Sequence, residues 1–465
     1  MPELPEVETV KNALAGLLLN QTIENVFVFR EKNVGPSLKE FLSIKGEKVL
    51  SLGRKGKYLI FHLTNEKVLV GHLRMEGKFF FRENEEFDKF DLIVFKLSNG
   101  YYLCYNDVRK FGGLSLYRED NYQTESPLAK LGKEPWDIEK EELHSLLQAK
   151  KKTPIKAAIM DQSVLAGLGN IYADETLFAA KIDPREEAKD ITLEECERIL
   201  VESRRILKEA IELGGSTIKS WHPQIGVDGM MQNRLYAYGH KNEDCPRCGF
   251  PMHRIEVGGR GTTYCPHCQP RKKYPFTLLL TGPIHSGKST AAKFFASKGY
   301  SLIDCDQIVK ELYAKKDVLK GVKEILGKKA VSKGVLNKEF VREKLGKDKK
   351  AKKKLESYLY PLVKQEVLKR LEAIGPNQKA LVEVQILPGS GLEDIGDYNL
   401  VILSSKESQK ERLRLEGKPA EALLALNRDW PERKARLLSS QIVFNTYPEK
   451  EISEKLEELV YLFDQ

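Results

Sequence analysis

Along the first 120 residues, apolar side chains alternate with polar ones in short runs rich in β-branched and aromatic residues. The pattern predicts strands over residues 21–30, 57–63, 67–73, 92–97 and 101–105, with turns such as Ser98-Asn99-Gly100 between them. Residues 6–19 break this rhythm. Their apolar positions recur at helical spacing, so a helix opens the chain. From about residue 139 to 213 the period is helical, with pieces at 138–147, 155–160, 171–180 and 193–213. Asp183-Pro184 separates the last two, and Thr192 is placed to cap the final helix. Gly214-Gly215-Ser216 begins an irregular stretch reaching about residue 235. Beyond a Pro270-Arg-Lys-Lys-Tyr-Pro275 segment that reads as a linker, the pattern changes again. Residues 276–281 form a buried-type strand, followed by a glycine-rich turn and then alternating helix and strand patterns, the signature of an α/β fold.

Composition changes this picture only in part. A chain of 465 residues is too long for one core, and two or three domains are expected. No stretch approaches the ~18 uncharged apolar residues of a membrane span, and the acidic start Met-Pro-Glu-Leu-Pro-Glu does not resemble a signal peptide. A cytoplasmic protein without membrane contact, acting as a monomer, is the expectation. The net charge of +9 is unevenly spread: residues 1–270 carry 38 Lys and Arg against 40 Asp and Glu, and residues 271–465 carry 38 against 27. Overall charge therefore gives no case for nucleic acid in the first part, where local sites must supply it.

Four of the seven cysteines fall in two knuckles, Cys245-Pro-Arg-Cys248 and Cys265-Pro-His-Cys268, sixteen residues apart. Each tight turn offers two thiolates, and together they complete a tetrahedral Zn2+ site with no position open for water, hence a structural one. Arg260, in Gly258-Gly-Arg-Gly-Thr262 between the knuckles, can fork onto a phosphate. Farther on, Gly282-Pro-Ile-His-Ser-Gly287-Lys288-Ser289-Thr290 follows a strand and opens a helix. That is the context of a phosphate-binding loop: glycines expose amides, Lys288 meets the β/γ oxygens, and Ser289 can ligate Mg2+ beside ATP. Leu302-Ile-Asp304-Cys-Asp306 ends a second strand with two acids near that site.

The opening Met-Pro-Glu-Leu-Pro-Glu-Val-Glu-Thr, Gly53-Arg-Lys-Gly-Lys57-Tyr58, His72-Leu-Arg-Met75, Asp107-Val-Arg109-Lys-Phe111-Gly112, Met160-Asp-Gln, Leu165-Ala-Gly-Leu-Gly-Asn170-Ile-Tyr-Ala-Asp-Glu175 and the terminal cysteine module occur in one order. In this set, residues 1 to about 269 closely resemble the formamidopyrimidine-DNA glycosylase family of bifunctional base-excision repair enzymes. The resemblance implies an N-terminal β-sandwich over 1–135, a helix–two-turn–helix domain over 136–235 and a zinc finger over 236–270. It also implies double-stranded DNA with oxidised bases as the partner. Pro2, freed by loss of Met1, becomes the nucleophile: an α-amine titrates near ~8 against ~10.4 for lysine, so a neutral fraction exists at cellular pH. Glu3 resembles the family's acid/base and Lys57 an active-site cation. Glu6 resembles a base-pocket residue, although its plain reading is a helix N-terminal charge. Met75, Arg109 and Phe111 match the residues inserted into the duplex when a base is extruded. Phosphate contacts fall to Asn170, at the start of an apolar helix, and to Arg260, with Lys156 near the damaged strand. The 216–235 stretch corresponds to a loop closing over the flipped base. Leu4, where relatives acting on oxidised pyrimidines have glycine, together with Arg109 and Phe111, tilts the expectation toward oxidised purines.

The second part, over 276–465, is similar to dephospho-coenzyme A kinases, which implies Asp306 as the base and ATP, Mg2+ and dephospho-coenzyme A as ligands. It departs from that family in several places. Tyr360-Pro361 stands for His-Pro, Ile386-Leu-Pro-Gly389 lacks the acid that follows the third strand, Asp429 stands for glutamine, and Ser439-Ser440 for Ala-Asp; Asn445 is kept. The rival readings are an oxidised-pyrimidine glycosylase, a non-catalytic damaged-DNA binder with an ATP-regulated partner domain, and a coenzyme A kinase with an accessory DNA-binding module.

Overall fold

The computed structural model describes residues 2–216, 230–415, 417, 424, 430–445 and 450–464. They form two compact units, 1–239 and 240–465. The expected base-covering loop at 216–235 falls mostly, and Asp429 wholly, outside the described residues.

The first unit opens with helix α1 (Leu4–Leu18), whose apolar stripe Leu4, Val7, Val10, Leu14 and Leu18 is buried. Nine strands follow: β1 (Ile23–Val28), β2 (Val34–Gly35), β3 (Val49–Lys55), β4 (Tyr58–Leu63), β5 (Lys67–His72), β6 (Lys78–Arg82), β7 (Asp91–Leu97), β8 (Tyr102–Asn106) and β9 (Gly113–Arg118). They make two sheets, ordered β1-β7-β8-β6 and β2-β9-β5-β4-β3. A shared core of Ile23, Phe61, Leu69, Phe95 and Leu103 is built from their inward-facing residues, and Phe41 of the short Leu38–Leu42 helix packs into it. The expected strands are present, each within a few residues of its expected span. The short β2 and the strands β3, β6 and β9 escaped the pattern: β3 and β9 are interrupted by Ser, Gly and Arg, and β6 is three phenylalanines between Lys78 and Arg82.

The helical part holds α2 (Lys140–Ala149), α3 (Ile155–Met160), α4 (Asn170–Ala180) and α5 (Leu193–Glu212). Thr192 caps α5 as expected: its Oγ1 accepts from the Glu195 amide at 3.2 Å, and the Glu195 carboxylate accepts from the Thr192 amide at 2.9 Å. This part has its own core, which includes Leu143, Ile159, Tyr172, Leu177, Ile199 and Leu207, and Leu4 of α1 inserts into it.

In the second unit the cysteine module is a hairpin of β10 (His253–Val257) and β11 (Arg260–Tyr264). After it come β12 (Phe276–Thr281), α6 (Lys288–Ser297), β13 (Ser301–Asp304), α7 (Cys305–Leu312), α8 (Lys349–Ile374), β14 (Lys379–Glu383), β15 (Tyr398–Leu403), α9 (Lys406–Leu415), α10 (Glu432–Leu438), β16 (Gln441–Phe444) and α11 (Lys450–Asp464). The five parallel strands are ordered β13-β14-β12-β15-β16, and Leu278, Leu279, Leu280, Leu381, Val382, Val401 and Ile402 are fully buried. The segment expected as a linker is packed against this fold. The Arg271 guanidinium lies 3.8 Å from the Tyr274 ring centroid, and Tyr274 rests on the sheet's core. The cysteine module thus shares a compact unit with the α/β sheet. Among the described residues, no helix is long and apolar enough to cross a membrane.

Candidate functional sites

The first site is organised around the start of the chain. Pro2 and Glu3 are buried, and Glu3 turns its carboxylate onto the N-terminus of α4. The amides of Gly169 and Ile171 donate to it at 2.6 and 3.0 Å. Helix-terminal amides favour negative charge there. The approach requires glycine: a β-carbon on Gly169 would lie 2.3 Å from the Glu3 carboxyl carbon. Burial and the neighbouring Glu6 raise the Glu3 pKa, while Lys57 and the amide bonds pull it down; burial prevails. Lys57 is itself buried and donates to the Leu168 carbonyl at 2.8 Å.

Two motifs hold this arrangement. Gln162 bridges the loop before α4, donating to Leu168 O at 2.8 Å and accepting from the Gly167 amide at 3.0 Å. Glu134 grips the Gly53–Lys57 turn, taking Arg54 in two bonds of 2.6 and 3.0 Å and the Gly56 amide at 2.7 Å. Neither Glu134 nor Tyr172 was singled out by sequence. Tyr172 donates to Glu6 at 2.7 Å, and Glu6 also accepts from the Ser216 amide at 2.8 Å and the Glu3 amide at 2.8 Å. Glu6 therefore joins the chain start, α4 and the first residue of the 216–235 stretch. A signal for these partners existed only in three dimensions.

Tyr58 and Gly113 both pair with His72, so Lys57 and the turns carrying Met75, Arg109 and Phe111 emerge at one end of the β2-β9-β5-β4-β3 sheet. Met75 and Phe111 are exposed, Phe111 by 61%, so neither packs in the core. Arg109 stacks 5.0 Å from the Phe111 ring centroid. The turn beneath them is rigid: the buried Asp107 carboxylate accepts from the amides of Arg109, Phe111 and Gly112 at 2.8–2.9 Å. Asn170 occupies the first turn of α4, with Gly169 as its cap. Lys156 is fully buried, and its ammonium pairs with Asp174 at 2.8 Å, tying α3 to α4. That pair supplies the favourable environment a buried ammonium needs.

In the second unit, the Sγ atoms of Cys245, Cys248, Cys265 and Cys268 lie within 4.8 Å of one another. Four soft donors converging from two knuckles fit Zn2+, and the set is closed. Gly258 and Gly259 take φ of +58° and +72° at the hairpin tip, the tight turn that leaves Arg260 exposed. The phosphate-loop motif lies between β12 and α6 as expected. Gly287 has φ +104°, and a β-carbon there would meet Asn445 Nδ2 at 2.0 Å. Asn445 donates to Ser286 O at 2.9 Å, and Arg412 to His285 O at 3.2 Å. Lys288 Nζ caps the loop's own Gly282 and Pro283 carbonyls at 2.8 and 3.0 Å, while Ser289 and Thr290 are exposed. The carboxyl ends of β13, β14 and β12 bring together Asp304, Asp306 and Glu383 near Lys288. Burial raises the Asp306 and Glu383 carboxyls, and Lys288 counters it. Sequence reading looked for an acid after the third strand and found none; Glu383, at the strand's own end, supplies one. Its signal was the match to Asp304, each an acid closing a short apolar run.

A model of the formamidopyrimidine-DNA glycosylase N-terminal domain matches residues 1–114, and the H2TH domain of the same enzymes matches 131–222. A zinc finger found in these glycosylases and in isoleucyl-tRNA synthetases matches 242–271. Formamidopyrimidine-DNA glycosylases from an Exiguobacterium species and from Halalkalibacterium halodurans are 45% and 44% identical. In each case the match covers 58% of this chain and 100% of the relative. The chain belongs to the formamidopyrimidine-DNA glycosylase family. Solved structures agree. The wild-type Lactococcus lactis enzyme with N7-benzyl-Fapy-dG DNA, and the same protein with abasic-site DNA, are each 36% identical. Their TM-scores are 0.55 and 0.54, covering 58% of this chain and all of theirs. The remaining 42% lies outside these glycosylase relatives, and a dephospho-CoA kinase model matches its residues 276–447. As a member of the glycosylase family, the chain thus carries a kinase-like unit beyond the length its relatives share.

Proposed function

We propose that the first unit excises oxidised purines from duplex DNA and then cuts the strand, using the amine of Pro2. The reading rests on one observation: next to Pro2, a buried Glu3 is held on the amides of α4 with Lys57 beside it. The neutral amine attacks the sugar C1′ and the damaged base leaves with its bonding electrons. Glu3, whose carboxyl is biased toward its protonated form, gives a proton to the ring oxygen as the sugar opens to an iminium. The iminium acidifies C2′. Loss of that proton expels the 3′ phosphate, and a second elimination expels the 5′ phosphate. Hydrolysis of the remaining imine restores Pro2. Met75, Arg109 and Phe111 fill the hole left by the extruded base, with Arg109 meeting the orphaned cytosine. Asn170 and Arg260 contact backbone phosphates, and Zn2+ keeps the Arg260 hairpin rigid. Lys156, paired inside the fold, acts by holding α3 and α4 together.

Borohydride trapping on an 8-oxoguanine duplex tests this directly. The full chain yields a covalent adduct that Pro2→Gly abolishes, and a thymine glycol duplex traps less. A stronger adduct on thymine glycol would favour the oxidised-pyrimidine reading.

The second unit is read as an ATP-binding phosphotransferase. Lys288, Ser289 and Thr290 hold the phosphates, and Asp306 takes the proton of an attacking hydroxyl. Mg2+, held by Ser289 and the nearby acids, would neutralise the phosphate charge. Glu383 favours an active site over a degenerate one, because it restores the acid missing from the expected position. ATP-dependent conversion of dephospho-coenzyme A by the full chain, lost in Lys288→Ala, is the expected outcome. Conversion unchanged in that variant would remove the assignment.

A further inference from the structure

The face of the zinc hairpin is built into the amino-terminal ends of the kinase-like strands, opposite the phosphate loop. Phe250, two residues after Cys248, packs its ring 6.0 Å from Phe276, 6.1 Å from Tyr398 and 6.0 Å from Phe463. Phe463 also touches the other two, with Phe463–Phe276 and Phe463–Tyr398 centroids 5.2 and 4.9 Å apart. Phe276 and Tyr398 are the first residues of β12 and β15, and Phe463 lies on α11. Tyr264, the residue before Cys265, is fully buried and donates to Asp397 Oδ1 at 3.2 Å. The other oxygen of Asp397 accepts from the Thr277 amide of β12 at 2.8 Å. Buried His253, at the start of β10, meets Ser440 Oγ at 3.0 Å, and that oxygen accepts from the Asn399 amide of β15. Ser440 is one of the positions where the kinase-like unit departs from its family pattern, and here it serves the hairpin. Each knuckle is thus followed or preceded by a residue anchored in the sheet.

We propose that the amino-terminal edge of the kinase-like sheet is a docking surface for the chain's own zinc hairpin, and that zinc retention depends on it. A metal site keeps its ion only as long as its knuckles stay in register, so anchors outside the sulfur shell govern release. The surface is aromatic, closed and hydrogen-bonded at two buried points. A shape of this kind fits a fixed partner and gives the second unit a structural role independent of phosphotransfer.

The test follows zinc release from the full, zinc-loaded chain into a colorimetric chelator. Phe463→Ala, which removes a ring nearly two hundred residues from the last ligand, accelerates release about tenfold. Tyr264→Phe, losing one hydroxyl, accelerates it by a smaller factor. Tyr461→Ala, on the same helix but exposed, releases at the wild-type rate. Binding of a fluorescent ATP analogue, measured in parallel, shows that the kinase-like fold persists in each variant. Wild-type release from both Phe463→Ala and Tyr264→Phe would overturn the proposal.

Discussion

The two units bind charge in opposite ways. In the first, the acting group is a buried carboxylate, and its partners come from far along the chain: Glu3 meets the amides of Gly169 and Ile171. In the second, it is a buried ammonium bonded to its own loop: Lys288 caps Gly282 and Pro283, six and five residues away. Both groups are strained by desolvation, raising the Glu3 pKa and lowering that of Lys288. The acid of the first site is therefore placed by tertiary packing, whereas Lys288 is placed by its own loop, which Asn445 and Arg412 in turn hold from far along the chain. Disturbance should spread differently: changes at α4 reach the acid of the first site directly, whereas distant changes reach Lys288 only through the loop that Asn445 and Arg412 hold.

The sharpest contrast comes from the acids. Glu3→Gln should lower single-turnover strand cleavage by roughly 100- to 10,000-fold, the range for a lost general acid/base, while ATP binding stays at the wild-type level. A next, smaller effect compares two glycines. Gly169→Ala forces a β-carbon against the Glu3 carboxyl and should cost cleavage roughly 100-fold through misplacement alone. Gly287→Ala strains a φ of +104° and collides with Asn445, so it should weaken ATP binding about tenfold and leave cleavage intact. Cleavage lost in the Gly287 variant would break the comparison. The mildest test uses pH. Burial, with Arg74 and Lys57 nearby, lowers His72 from 6.5 to about 3, and its Nδ1 accepts from the Arg74 amide. A base depressed by folding contributes stability that is complete above 6.5 and is lost as pH falls from there toward about 3. Melting temperature between those values should therefore fall less steeply in His72→Asn than in the wild type.

What the sequence revealed follows the same division. The phosphate loop, β12 and the cysteine knuckles are contiguous, so their chemistry and position were legible from spacing alone. The glycosylase residues were legible as motifs, but the reason for each was not. Gly169 has to be small because of Glu3, 166 positions earlier, and Glu134 exists to pin Arg54 and Gly56. Strands β3 and β9 carry polar residues that mask a period of two, and β6 is a short run of three phenylalanines without alternation; tertiary pairing decides them. Lys156 was expected near the damaged strand, and only the fold reveals Asp174 against it. Glu383 was missed because the acid was sought beyond the third strand rather than at its end. The 270–275 segment read as a linker, yet Tyr274 packs against the sheet's core and Arg271 stacks on Tyr274.

The central claim is that the chain's second residue is the nucleophile. Digestion of the borohydride-reduced adduct formed by the full chain on an 8-oxoguanine duplex, followed by mass spectrometry, locates the bond. The account predicts a sugar-phosphate remnant on the nitrogen of a peptide beginning at Pro2. A remnant on a lysine such as Lys57, with the Pro2 peptide unmodified, would contradict it.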